Sequence, residues 1–137
     1  MKQLSIFIEN KGGTLIKVLN ILSKAKIQII ASTVADTKDY GIYRVLCNKQ
    51  EEAFIALKEG GINVQLTEVQ AIAVNDTPGE AAKAVQALSE AGVSILYMYS
   101  FLWKSNGVLV FRTDNTAQTE EIIKSNNMTI LTEKDFA

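Results

Sequence analysis

Histidine is absent from this chain of 137 residues, and cysteine and proline each occur only once. Without histidine the chain cannot form a Ser-His-Asp triad, a Cys-His pair or a metal site with histidine ligands. The single cysteine, Cys47, excludes an internal disulfide bond and a cysteine cluster around a metal. Because these residue types are missing or single, many of the common catalytic and metal sites cannot form. We therefore expect a protein that is not an enzyme and needs no metal or cofactor.

An excess of charge of one sign is lacking too, because 14 basic residues balance 15 acidic residues. A surface that binds nucleic acid normally carries an excess of positive charge, and we therefore expect no nucleic-acid partner. Long apolar runs are also missing, since the run over residues 93–103 is about half as long as a membrane-spanning helix. The apolar stretch at residues 4–8 is too short for a signal-peptide core, so we expect a cytoplasmic protein without a membrane partner.

The sequence contains an internal repeat, because a shift of 66 residues aligns its first half with its second half, as it does Gly13 with Gly79. The same shift pairs further identical residues without a gap: Lys17 with Lys83, Leu22 with Leu88, Ser23 with Ser89, Ala25 with Ala91, Ile29 with Ile95, Lys38 with Lys104, Gly41 with Gly107 and Lys58 with Lys124. No linker rich in proline, glycine or serine separates the halves, and we place two units at residues 1–68 and 69–137. The alternative is a chance coincidence of two unrelated amphipathic helices.

Both units show the same order of predicted elements. In the first, alternating apolar residues from Leu4 to Ile8 predict a strand, and apolar residues at helical spacing from Leu15 to Leu22 predict a helix. A hairpin, a second helix and a fourth strand are expected at residues 27–35 with 42–47, 51–59 and 62–67. The second unit repeats these elements at residues 70–74, 80–91, 93–103, 108–113, 116–125 and 128–132. This βαββαβ order predicts an α+β fold of two ferredoxin-like units, each with its helices on one face of an antiparallel sheet.

The predicted strand at residues 93–103 is apolar on both sides. One side carries Ile95, Tyr97, Tyr99, Phe101 and Trp103, and the other carries Leu96, Met98 and Leu102. A sheet with one solvated face should alternate apolar and polar residues, so we expect the helix-free face to meet another sheet or subunit. The alternative is that a twisted strand end curls over its own core.

The turn before the first helix of the second unit is a candidate ligand site. Pro78 suits a helix start, and Gly79 lets a ligand approach the backbone. The N–H groups of a first helical turn attract a carboxylate, while Asp76 can accept a hydrogen bond from an ammonium group. A free α-amino acid needs both features. The alternative is that Asp76 only caps its helix.

The same turn, Asp76-Thr77-Pro78-Gly79 followed by Ala81, resembles that of the ACT domain, a small regulatory module that binds small molecules. The segment Ala91-Gly92-Val93-Ser94-Ile95 at the end of the helix strengthens the resemblance. The first unit matches more loosely, at Asn10-Lys11-Gly12-Gly13-Thr14-Leu15 and Ala25-Lys26-Ile27-Gln28-Ile29. Because the two copies cover essentially the whole chain, we interpret it as a stand-alone tandem ACT protein.

The resemblance implies binding rather than catalysis. ACT domains typically bind amino acids between two domains set side by side, through the strand–helix turn and the start of the second strand. The positions that correspond here are Asn10, Lys11, Gly12, Gly13, Thr14, Leu15 and Gln28 in the first unit and Asp76, Thr77, Pro78, Gly79, Glu80 and Ser94 in the second. The first turn departs from the family pattern, since it lacks the aspartate and the proline, and Ala81 stands where leucine is usual.

The resemblance thus predicts a non-catalytic sensor that binds a free amino acid and passes the signal within a homodimer or to a separate regulated enzyme. An alternative function is a structural or interaction subunit that uses the same fold only for assembly. Cys47 ends a predicted apolar strand, and we interpret it as a core residue rather than a nucleophile.

Overall fold

The computed structural model describes residues 1–9, 11–36 and 39–136. Its elements are β1 (Lys2–Ile8), α1 (Lys11–Lys24), β2 (Ile29–Asp36), β3 (Gly41–Cys47), α2 (Gln50–Glu59), β4 (Val64–Glu68), β5 (Gln70–Val74), α3 (Glu80–Glu90), β6 (Ile95–Trp103), β7 (Asn106–Thr113), α4 (Thr116–Ser125), β8 (Thr129–Ile130) and a short 3-10 helix (Glu133–Phe136). This order confirms the predicted α+β fold of two ferredoxin-like βαββαβ units. Within the described ranges, no helix has both the length and the apolar character needed to cross a membrane.

The chain divides into two compact units. The first unit comprises Lys2–Glu68 together with Phe136, and the second unit comprises Met1 together with Val69–Asp135. The strand order is β2-β3-β1-β4 in the first unit and β6-β7-β5-β8 in the second. Because β2 and β6 stand at one end of these orders, they are edge strands of their sheets. All pairs of neighbouring strands are antiparallel.

The core of the first unit lies between its sheet and its two helices. Leu4 of β1 and Val45 of β3 are fully buried and belong to one cluster with Val18 and Leu22 of α1 and Leu57 of α2. The apolar side chains of α1 recur every three or four residues, so one helix face can lie against the pleated sheet. Truncating one such leucine to alanine typically removes about 2–5 kcal/mol of stability.

Cys47 belongs to this core. Its side chain is 1% exposed, and burial raises the pKa of its thiol above the ordinary value. Because an apolar environment disfavours the charged thiolate, the thiol stays protonated at neutral pH. The prediction that Cys47 is a core residue is confirmed.

The two units repeat each other in structure with the same shift of 66 residues. Each edge strand contains a β-bulge at the equivalent place, after Ile29 in β2 and after Ile95 in β6. A side-chain oxygen also accepts a hydrogen bond from the backbone N–H of the residue before each of these strands. Asn48 Oδ1 accepts from the Gln28 backbone N–H at 3.0 Å, and Asp114 Oδ1 accepts from the Ser94 backbone N–H at 3.1 Å. These shared irregularities are difficult to explain by a chance likeness of two helices.

The last strand is shorter than predicted. The expectation of a strand over residues 128–132 is wrong, because β8 contains only Thr129 and Ile130. Asp135 Oδ2 accepts a hydrogen bond from the Thr132 backbone N–H at 2.7 Å, and the chain turns there into the 3-10 helix. The turn of the hairpin predicted at residues 27–35 with 42–47 falls partly outside the described residues, which exclude Thr37 and Lys38.

The bulge in β6 changes which side chains share a face. Ile95 packs against the core beneath the helices, whereas the register from Tyr97 onward places Tyr99 opposite Val110 on the helix-free face. The expectation that Ile95 lies on the same side as the tyrosines is therefore wrong, since an extra residue reverses the alternation. Met98 and Leu102 point to the helix side, where they are 48% and 63% exposed.

Gln70 offers a test of packing in the second unit. It occupies the position of the fully buried Leu4, yet its amide Nε2 is buried and finds no hydrogen-bond partner among the described residues. Leaving such a donor unpaired costs about 1–3 kcal/mol. We expect Gln70→Leu to raise the free energy of unfolding by about 1–2 kcal/mol, measured by urea denaturation. A lower stability would show that the amide has a stabilising partner.

Candidate ligand-binding site at the β5–α3 turn

The turn between β5 and α3 leaves the N-terminus of α3 without a capping side chain, because a glycine occupies the N-cap position. Gly79 occupies the N-cap position of α3 with φ of 90°, and no side chain donates or accepts a capping hydrogen bond there. This φ lies in the left-handed region, where a residue with a Cβ atom is strained. A Cβ atom at Gly79 would meet nothing within 4 Å. The glycine is therefore required by its conformation and leaves the helix start uncovered.

Asp76 does not cap the helix. Its side chain is exposed, and α3 has no side-chain cap. Nearby, the Thr77 hydroxyl donates to Glu80 Oε1 at 3.4 Å, and the Glu80 backbone N–H donates to the Thr77 carbonyl at 3.4 Å. These bonds close the turn without Asp76. The alternative interpretation of Asp76 as a helix cap is wrong, and its carboxylate is available to a ligand.

A cavity of about 240 Å³ lies beside this turn, and we call it the turn pocket. It brings together the predicted residues Asp76, Thr77 and Glu80 with Ala81 of α3. Residues of β6 and β7 complete its wall: Ser100, Phe101, Leu102, Val108 and Leu109. A carboxylate at the mouth and an apolar wall behind it suit a small ligand that has an ammonium group and an uncharged portion.

Ser94 lies away from the turn pocket in its own unit. The pairing of β6 with β7 places Ile95 opposite Thr113 at one end and Leu102 opposite Gly107 at the other. Gly107 also pairs with Val74, the residue at which β5 reaches the turn. Because α3 runs back along the sheet before β6 begins, the start of β6 is at the far end. One unit therefore does not bring Ser94 and Asp76 together.

The first unit differs at the equivalent turn. Helix α1 already begins at Lys11, so Gly12, Gly13, Thr14 and Leu15 lie in its first turns, whereas Pro78 and Gly79 precede α3. Asn10 and the Lys11 side chain lie outside the described part of the chain. Gln28 lines a separate cavity of about 440 Å³ with residues of the α1–β2 connection, among them Lys26 and Ile27.

The residues that β6 and β7 contribute to the turn pocket were missed as site residues from the sequence, among them Ser100, Phe101 and Leu102 of β6. A sequence signal for Phe101 exists, since the aromatic side of this strand favours a pocket or an interface. No local pattern indicates which end of a strand approaches a turn that is more than 20 residues away. That proximity follows from the antiparallel register alone.

Comparisons with known proteins agree with this architecture. A family model described as an ACT domain pair matches residues 1–137. A crystal structure of a protein from Bacteroides thetaiotaomicron is 37% identical, with 98% of this chain and 93% of that chain covered and a TM-score of 0.92. The ligand-free regulatory subunit of aspartate kinase from Thermus thermophilus is 18% identical, with 90% and 91% covered and a TM-score of 0.62. The corresponding subunit from Thermus flavus is 18% identical, with 90% and 88% covered and a TM-score of 0.60. No curated protein matches the chain.

Proposed function

This chain belongs to the family of ACT domain pairs, and we propose that it is a non-catalytic regulatory protein that binds a free amino acid at the turn pocket. The observation that carries the proposal is the Asp76 carboxylate, which is exposed and has no capping role at a helix start opened by Gly79. No hydrogen bond within the described residues engages this carboxylate, so it can accept one from the ammonium group of a ligand.

The turn also offers partners for the carboxylate of an amino acid. The backbone N–H groups of Ala81 and Ala82 lie in the first turn of α3, where no intrahelical acceptor exists. The positive end of the helix dipole favours an anion at this place. Leu102 and Leu109, which line the pocket on the helix side of the sheet, would receive the ligand's side chain. The site thus combines an acceptor for the ammonium group, N–H donors for the carboxylate and an apolar surface for the side chain.

We propose a homodimer in which two copies pair along β6. This edge strand has nine residues, none of them charged, and an uncovered apolar edge tends to pair with another strand. Antiparallel pairing of identical strands is closed by a twofold axis. It would set the start of one β6 beside the end of the other, and so bring Ser94 of the partner subunit towards the turn pocket. A homodimer would unite the residues that one unit keeps apart.

The regulated enzyme would be a separate protein. The fold is shared with regulatory subunits of aspartate kinase, which supports a regulatory role and motivates an enzyme of amino-acid metabolism as the partner. The assignment to a particular enzyme class is part of the proposal. A pull-down with the amino acid present and absent tests whether the partner's association depends on the ligand.

Ligand binding is tested directly by calorimetry against the twenty amino acids. A ligand that binds only the folded protein stabilises it by about 2.7 kcal/mol at a hundred times its dissociation constant, so at least one amino acid should raise the melting temperature. A folded protein that gives no heat and no thermal shift with any of them would contradict the proposed function.

A second candidate function is assembly without a ligand. The exposed apolar side chains of β6 favour it: Leu96 is 56% exposed, Met98 48% and Leu102 63%. An assembly subunit would dimerise through this strand and show no thermal shift with amino acids. The melting experiment therefore separates the two functions, because only the sensor responds to a small molecule.

A further inference from the structure

We draw no further inference here: the strongest candidate, the edge strand β2 of the first unit, which has no charged residue from Ile29 to Ala35 and an exposed Val34, carries nothing, because nothing in the described part of the chain shows what covers it.

Discussion

Asp76→Asn is expected to weaken amino-acid binding about ten- to a hundredfold while the melting temperature of the ligand-free protein stays unchanged. The affinity should fall because a hydrogen bond to a charged group contributes about 1.5–3 kcal/mol. The stability should hold because Asp76 is exposed and does not cap α3. Calorimetry measures the first effect and differential scanning calorimetry the second.

Two further variants make this result specific. Glu121→Gln removes an exposed carboxylate on α4 and should leave affinity unchanged. Ala81→Asp adds a carboxylate to a residue that lines the turn pocket and should lower affinity, because it repels the carboxylate of the ligand. Gly79 is a poorer probe, since φ of 90° makes any substitution there destabilising. Full binding in both Asp76→Asn and Ala81→Asp would move the site away from the turn.

The fold was predictable because its signals are local. The alternation from Leu4 to Ile8 and the helical spacing from Leu15 to Leu22 each decide an element without reference to the rest of the chain. The repeat then transfers every element of the first unit to the second. The end of β8 was not predictable in the same way, because it depends on a single bond from the Thr132 N–H to Asp135.

The face of β6 shows a second limit. Strict alternation assigns Ile95 to the side of Tyr97, but one bulged residue reverses the assignment. Nothing in the apolar run from Ile95 to Trp103 marks that residue, since either register buries apolar side chains. Only pairing with β7 decides it.

The candidate site was predicted in part. The residues of one turn could be named from the motif, but the availability of Asp76 required knowing that no backbone N–H donates a hydrogen bond to its carboxylate.

The second large expected effect is a loss of the proposed homodimer when charges are placed on β6. Met98→Asp with Leu102→Asp should raise the dissociation constant of the dimer at least about a hundredfold, because full burial of each side chain contributes about 1.5–3 kcal/mol. A charge in place of each would also have to be buried without a partner. Met98 and Leu102 are 48% and 63% exposed on the edge strand β6, so the monomer should remain folded.

Sedimentation equilibrium of the double variant measures the dimer, and Ile16→Asp is the matched control. Ile16 is 60% exposed, close to the 63% of Leu102, but it lies on α1 rather than on a strand edge. The control should dimerise as the unaltered protein does. A double variant that remains dimeric excludes β6 as the interface, and an unaltered protein that is monomeric excludes the homodimer itself.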